Sequence, residues 1–297
     1  MPDPVAADSS FDHAYTVVAD LSPYNELRSR GYAVPDGARE HPGGVSCRYL
    51  PFHAPANQPL GRTFQYLEFV KLSDVAAYCA AENSAREKKG LSLRSEARTV
   101  APGFSLIASA LRQRLPAVQQ ELAAYRPEYE HVNYRWQTET EPDAPGWSYL
   151  KFKEDIVPSC ELWFTEYDPD PVEVNRHRPV IPLNPNTCNQ IVGCIWDLGP
   201  PDGPLRARVQ RLTGGERRGD ELILNRQFTI WSGPSAGTIW AALAHCAPLA
   251  AMVLGCASLA TFKRLASPDR VIDWNGQEAA LLTPFSSGWA IVVVERA

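Results

Sequence analysis

The chain has 297 residues, 44% of them hydrophobic and 21% charged, with a net charge of −5. These are the values of a globular protein that is large enough for two domains. Basic and acidic residues are interspersed without a basic stripe, which argues against nucleic acid as a partner. Seven cysteines without a CxxC spacing indicate reduced, buried thiols in a cytoplasmic protein and disfavour a structural zinc site. The first ten residues lack a signal-peptide pattern, and we expect them to form a frayed tail.

The first predicted unit spans about residues 11–72 and is bounded by two strands. Phe11–Asp20 and Phe64–Leu72 are both rich in Val, Tyr, Phe and Thr, residues typical of strands. Each of these strands carries one side chain that is able to bind a metal ion. The first strand has His13, and the second has Glu68.

A helix and a further strand are predicted between these two. Ser22 can cap the helix, Pro23 suits its first turn and Gly31 can end it. A glycine-rich loop at His41–Gly44 and a strand at Val45–Phe52 follow. The order of this unit is therefore strand, helix and several strands.

Residues 73–89 predict an exposed helix that links this unit to the next. Its end, AREKKG, is charged, and Gly90 can close it. Small apolar residues recur in it at helical spacing, namely Val75, Ala76, Ala80 and Ala81.

A second unit of the same order follows at about residues 103–167. It has a strand from Gly103, a helix within residues 111–125, and strands at about 130–136, 147–152 and 160–167. Residues 168–185 then carry five prolines and mixed charges. We expect this run to separate an N-terminal domain, residues 1–170, from a C-terminal domain, residues 171–297.

The C-terminal part repeats the order twice more. The third unit, about residues 187–231, has a strand at 188–196, a helix at 204–212 that ends at Gly214, and strands at 220–224 and 226–231. The fourth, about residues 249–295, has a strand at 249–254, a helix at 258–265, and strands at 270–273, 278–282 and 288–295. The repeat rests on order and spacing, since no two units are closely identical.

Two alternatives compete with this interpretation. Residues 238–262 carry no charge over 25 positions, which is long enough for a membrane span. His245, Pro248 and an apolar content dominated by Ala favour a helix end, a buried strand and the start of another helix. Residues 233–237, GPSAG, match G-x-S-x-G, but no histidine follows His245 to complete a hydrolase triad. We interpret them as a turn.

These motifs resemble the vicinal oxygen chelate superfamily, and more narrowly its glyoxalase-like proteins with four modules. DHAYTVVADL is similar to the opening strand of the family, HPGG to its glycine-rich loop and YLEF to its closing strand. ELWFTEYDP resembles the end of a second module, and WAIVVVE the usual last strand. The resemblance implies an α+β fold, in which βαβββ modules pair into cupped mixed sheets that surround a ligand.

In relatives that use a metal ion, a His on the first strand and a Glu on the last strand are ligands. His13 and Glu68 match these positions, which implies one divalent ion (Fe, Mn, Ni, Co or Zn), a catalytic role for Glu68 and no organic cofactor. The second module departs from the pattern, because its positions fall near Phe104 or Ser105 and near Trp163. Glu161, Glu166 or His53 would have to substitute there.

The resemblance leaves enzymatic activity open. The protein is expected to bind a small oxygenated or aromatic molecule in the N-terminal cup, with metal-assisted lyase, isomerase or dioxygenase chemistry at His13 and Glu68. The alternatives are a metal-free protein that binds or sequesters the molecule, as in resistance proteins, and a pair of domains kept for interaction. We expect no membrane partner, and the resemblance is compatible with a homodimer. The side chains expected to line the cup are Tyr66, Phe104, Tyr149 and Trp163.

Overall fold

The computed structural model describes residues 9–36, 39–41, 44–53, 64–108, 115–132, 147–158, 160–167, 181–232, 238–243, 249–282 and 290–296. These residues form four units, each with the order strand, helix and three strands. The predicted βαβββ repeat is therefore confirmed.

The first two units lie in the N-terminal half of the chain. The first consists of β1 (Ser9–Val18), α1 (Ser22–Ser29), β2 (Arg39–His41), β3 (Val45–His53) and β4 (Phe64–Leu72). Helices α2 (Val75–Lys88) and α3 (Glu96–Thr99) connect it to the second unit. That unit consists of β5 (Gly103–Ala108), α4 (Leu115–Glu121), a 3-10 turn (Ala123–Tyr125), β6 (Glu128–Val132), β7 (Trp147–Lys151) and β8 (Glu161–Tyr167).

The last two units repeat this order. The third consists of β9 (Cys188–Trp196), α5 (Pro204–Thr213), β10 (Glu216–Arg218), β11 (Glu221–Leu224) and β12 (Phe228–Ser232). Helix α6 (Thr238–Leu243) precedes the fourth. The fourth consists of β13 (Leu249–Cys256), α7 (Leu259–Ala266), β14 (Arg270–Trp274), β15 (Gln277–Leu282) and β16 (Ala290–Glu295).

The units pair into two mixed sheets of eight strands each. The first has the order β2-β3-β4-β1-β5-β8-β7-β6, and the second has the order β10-β11-β12-β9-β13-β16-β15-β14. In each unit the first and last strands are parallel neighbours, and the two units of a sheet meet through their antiparallel first strands. This topology brings the opening strands of paired units to the middle of each sheet.

The two sheets share one hydrophobic core on the faces that they turn toward each other. The ring of Phe11 in β1 stacks on Phe228 in β12 with centroids 4.3 Å apart. Phe104 in β5 meets Trp196 in β9 edge-on at 5.2 Å. Each such buried side chain contributes about 1.5–3 kcal/mol of hydrophobic stabilisation. Because the core is continuous and residues 168–180 lie outside the described ranges, the domain boundary near residue 170 stays a prediction.

A second cluster of buried apolar side chains covers the outer face of the second sheet. Side chains of α6, among them Ile239 and Leu243, are fully buried against it. Trp231 and Trp274 meet there edge-on at 4.9 Å. In the residues described, the cup of the C-terminal half is therefore filled by its own side chains.

Several sequence predictions change in detail. Two short strands, β2 and β10, were not predicted, and His41 belongs to β2 rather than to a loop. Ser22 does not cap α1 with its side chain; its own backbone N–H donates to Oδ1 of Asp20 at 2.7 Å. Gly31, as expected, follows the helix with a φ of 77°.

Three further predictions concern the rest of the chain. The turn predicted at residues 233–237 and the strand end at 133–136 lie outside the described ranges. The described cysteines are buried free thiols, namely Cys47, Cys79, Cys160, Cys188, Cys194 and Cys256. No helix within the described ranges is both long and apolar enough to cross a membrane.

Candidate functional site

The candidate site is the outer face of the first sheet, on the side away from the core shared with the second sheet. His13 is opposite Tyr66 and Tyr15 is opposite Glu68 in the parallel pair of β1 and β4. Since side chains alternate along a strand, these four residues share one face. We call this face of the sheet the N-terminal cup. The side chains that lie on it are His13, Tyr15, Tyr66, Glu68, Tyr149, Lys151, Glu161 and Trp163.

Helix α2 and the segment after it cover part of the cup. Arg94 forms ion pairs with Glu82 of α2 at 2.9 Å and with Glu161 of β8. The side chain of Asn83 accepts a hydrogen bond from the Arg94 backbone N–H at 2.8 Å and donates one to its carbonyl at 2.9 Å. Tyr78, also on α2, has a pKa raised to about 12, first by burial and second by the charge of Glu82, with Glu68 contributing further.

The prediction of an exposed linking helix is therefore wrong for one side of α2. Its small apolar residues Ala76, Ala80 and Ala81 are exposed. The side turned inward carries Cys79 and Arg86, which are buried, and Arg86 forms an ion pair with Glu128. Polar contacts, rather than an apolar stripe, hold the helix over the sheet.

His13 is held by three neighbours at the first module's side of the cup. Its Nδ1 lies 2.8 Å from Oδ2 of the buried Asp12. The imidazole stacks on Tyr66 with centroids 4.4 Å apart and meets Trp163 edge-on at 5.3 Å. The hydroxyl of Tyr167 donates to the same Asp12 oxygen at 2.8 Å. The ring orientation of His13 is thus fixed by an acid on one side and aromatic rings on the other.

Glu161 lies at the centre of a cluster of cations. The hydroxyl of Tyr15 donates to its Oε2 at 2.8 Å. Arg94 pairs with it, Arg98 lies 3.5 Å from Oε1, and Lys151 lies 3.8 Å from Oε2. A carboxylate that is only 5% accessible requires such compensation, because an unpaired buried charge is costly.

Lys151 lies at the second module's side of the cup. Its ammonium group is 4.9 Å from the ring centre of Tyr149 and 5.7 Å from that of Trp163. Burial first, and the charge of Arg94 second, lower its pKa to about 7. A quarter of the side chain, 25%, is still accessible to solvent. Lys151 is therefore largely covered by protein, while part of its side chain still reaches solvent.

The tyrosines of the cup lead to the same conclusion. Burial is the main cause that raises the pKa of Tyr15, Tyr66 and Tyr149, and the charge of Glu68 raises the last two further. All three keep some accessible surface, as Glu68 does. Glu68 therefore lies close to tyrosines of both modules and of α2, near the middle of the cup.

A glycine makes room for the large ring of the cup. A Cβ atom on Gly103 would lie 2.7 Å from the Cβ of Glu161 and 2.9 Å from Cζ3 of Trp163. Any larger residue at this position would push Trp163 away. The indole N–H of Trp163 donates to Oγ1 of Thr165 at 2.9 Å, which fixes the ring over the sheet.

The donor set of the cup does not fit a divalent metal centre. Among the described residues, no group of three or more His, Cys, Asp and Glu side chains could hold an ion. Where the second module faces His13, Ser105 and Thr165 form a hydrogen bond of 2.6 Å instead. The assignment of His13 and Glu68 as ligands stays a prediction.

The three proposed substitute ligands do not complete the set. Glu161 is held in its cation cluster, and Glu166 accepts a hydrogen bond from the backbone N–H of Leu115 at 2.8 Å. His53 is exposed at the end of β3. Neither module thus offers a third ligand within the part of the chain that the structure describes.

Of the side chains predicted to line the cup, Tyr66, Tyr149 and Trp163 face it and Phe104 does not. Phe104 is opposite Ala14 and belongs to the core between the sheets. The prediction for Phe104 is wrong because Ser105, the other candidate position, is the residue opposite His13. The sequence interpretation also missed side chains that the fold brings together at the cup, namely Tyr15, Arg94 and Lys151. Lys151 could have been found, since it is two residues beyond Tyr149 on the same strand.

Comparison with known proteins agrees with the fold. A hypothetical protein from Staphylococcus aureus has a TM-score of 0.59 at 11% identity, over 97% of this chain and 99% of that one. A halotolerant catechol dioxygenase gives 0.46 at 11% identity, over 97% and 86%. A glyoxalase I mutant from Zea mays gives 0.28 at 10% identity, over 97% and 94%. Only the first score indicates a shared fold, and at this identity it indicates nothing more.

The sequence comparisons are negative. No protein-family model matches the chain, and no curated protein matches it. The four βαβββ modules and their pairing give the chain the fold of the vicinal oxygen chelate superfamily, with a polar, aromatic cup in its N-terminal half.

Proposed function

We propose that the protein binds a small oxygenated aromatic molecule in the N-terminal cup and does so without a metal ion. The observation that carries this proposal is a set of tyrosines that are enclosed yet partly accessible. Tyr15, Tyr66 and Tyr149 present hydroxyls there, beside the buried ring of Trp163.

The charges of the cup support a ligand with polar oxygens. Lys151 and Arg94 are donors, while Glu68 and Glu161 are acceptors. Stacking on the rings would bury the apolar part of the ligand, and these few polar groups would fix its orientation. The apolar packing in the other half of the chain supports one ligand site for each chain rather than two.

The metal-assisted alternative has one observation in its favour. His13 and Glu68 lie on the same face of neighbouring parallel strands, two residues apart in register. What weighs against it is that the described residues give this pair no third ligand. The contact of His13 with Asp12 would orient a metal-binding imidazole equally well.

The proposal is tested by titration calorimetry of the full chain with 4-hydroxybenzyl alcohol in the presence of a chelator. We expect saturable binding that is lost in Tyr149→Ala and kept in Tyr129→Ala, because Tyr129 is 39% exposed on β6. Absence of binding by the wild type would overturn the proposal.

Metal content separates the two alternatives. The wild type, His13→Ala and Glu68→Ala are incubated with Fe, Mn, Ni, Co and Zn in turn and analysed by mass spectrometry. We expect no stoichiometric metal in any of them. A metal ion that is present in the wild type and lost in both variants would favour the metal-assisted enzyme instead.

A further inference from the structure

Binding alone does not explain the setting of Lys151. A lysine that only neutralised Glu161 would be expected to donate a hydrogen bond to it. The separation of 3.8 Å is too long for one. Among the described contacts of Lys151, the remainder are the ring faces of Tyr149 and Trp163. Its nitrogen is thus held inside the cup without a hydrogen-bond partner from the described residues.

The neighbouring charged groups do not fully balance the positive charge of Lys151. Glu161 is shared with Arg94, Arg98 and the hydroxyl of Tyr15. The other charged groups that act on Lys151 come from α2, the segment after it and β6, namely Glu82, Arg86, Arg94 and Glu130. Burial and the charge of Arg94 lower the pKa of Lys151 to about 7. At neutral pH, Lys151 is therefore a neutral amine in about half of the protein molecules.

We propose that Lys151 is a nucleophile and that the cup takes an aldehyde or a ketone, which Lys151 binds covalently as an imine. This inference rests on the proposed function, since the carbonyl compound must first enter the cup. The geometry points to it because the nitrogen lies between ring faces that can stack on a planar, conjugated imine.

The chemistry balances without any further reagent. The lone pair of the Lys151 nitrogen attacks the carbonyl carbon, a C–N bond forms and the C=O π electrons move to oxygen. A proton passes from nitrogen to that oxygen, which gives a carbinolamine. The hydroxyl then leaves with a proton as water, and a C=N bond forms.

Reductive trapping tests the inference. The full chain is incubated at pH 7 with 4-hydroxybenzaldehyde and cyanoborohydride, and the modified lysines are located by peptide mass spectrometry. Lys153 is the internal comparison, because it lies two residues further on and pairs with Glu128 at 3.6 Å. We expect Lys151 to be labelled at least about tenfold faster than Lys153. Equal rates would overturn the inference.

Two controls keep failure of this inference distinct from failure of the proposed function. Lys151→Arg removes the nucleophilic amine and should lose the adduct, while binding itself is followed on the wild type with 4-hydroxybenzyl alcohol, which has no carbonyl. In the wild type, the same alcohol should protect Lys151 from labelling, and this result does not depend on the folding of a variant. If the alcohol binds and Lys151 is not labelled preferentially, the imine is excluded and the binding function stands. If the alcohol does not bind, the binding function fails, and the inference fails with it.

Discussion

The hydroxyl of Tyr15 donates a hydrogen bond of 2.8 Å to Oε2 of Glu161, and this contact joins the first strand of one module to the last strand of its partner. Glu161 also pairs with Arg94, which follows α2. A single buried carboxylate thereby links both modules and the segment that covers them. The N-terminal cup is held together by polar contacts, whereas the C-terminal one is filled by apolar side chains.

Removal of the Tyr15 hydroxyl tests this link. In Tyr15→Phe, Glu161 loses a hydrogen bond to a charged acceptor, and we expect the free energy of unfolding to fall by about 1.5–3 kcal/mol. Denaturant unfolding followed by circular dichroism measures the change. Tyr129→Phe is the matched control, since its hydroxyl contacts Ser148 at 3.0 Å on an exposed strand, and it should cost less than about 1 kcal/mol. Equal losses in the two variants would contradict a central role for the contact.

Neutralising Glu161 should lower the free energy of unfolding by more than removal of the Tyr15 hydroxyl does. In Glu161→Gln the shape is kept, but Arg94, Arg98 and Lys151 lose a buried counter-charge. We expect a loss of about 3–5 kcal/mol in the free energy of unfolding, because unpaired buried charges remain. Glu216→Gln breaks the exposed pair with Arg218 and should leave the unfolding midpoint unchanged. A Glu161→Gln protein as stable as the wild type would show that the carboxylate is not needed to balance the cluster.

The pH dependence of stability follows from Lys151. Its pKa is lowered from 10.5 to about 7 in the folded state, so between these values the unfolded chain binds a proton that the folded chain does not. The cost of the enclosed charge is thus fully present below pH 7 and is relieved as the pH rises toward 10.5. Relative to Lys151→Met, the wild type should gain about 2–4 kcal/mol over this window.

This pH dependence is measured by urea unfolding of the wild type and Lys151→Met at several pH values. Lys153→Met serves as the control, and its difference from the wild type should stay flat over the same window. A constant difference between the wild type and Lys151→Met would show that the amine is already protonated throughout. In that case the nucleophile inference would lose its chemical basis.

The fold could be predicted from the sequence more fully than the residues of the site. Alternating apolar residues, together with Gly31 and Gly214 at helix ends, predicted a strand, a helix and further strands in each unit, because these signals are local. They missed the short strands β2 and β10, and the full βαβββ order was implied by the family resemblance. The face on which a residue lies was harder to predict. The sequence left Phe104 and Ser105 both open as the position that faces His13, since a shift of one residue exchanges the two faces of a strand, and Ser105 is the residue opposite His13.

The covering of the cup was not predictable from periodicity. The sequence predicted an exposed linking helix at α2, and its small apolar residues Ala76 and Ala80 are indeed exposed. Its inward side carries polar groups such as Glu82 and Arg86, whose partners lie on distant strands and in the segment after the helix. Long-range pairing of this kind leaves no local pattern.

The apolar filling of the second sheet gives a final prediction. Ile239 of α6 is fully buried against that sheet, so Ile239→Ala should leave a cavity and lower the free energy of unfolding by about 2–5 kcal/mol. Val271→Ala on β14 is the control, because Val271 is 46% exposed and should change stability by less than about 0.5 kcal/mol. Binding of 4-hydroxybenzyl alcohol, measured by calorimetry on the folded Ile239→Ala protein, should match the wild type, since the ligand is proposed to occupy the other cup. Loss of ligand binding in Ile239→Ala would place the ligand in the C-terminal half and overturn the assignment of the site.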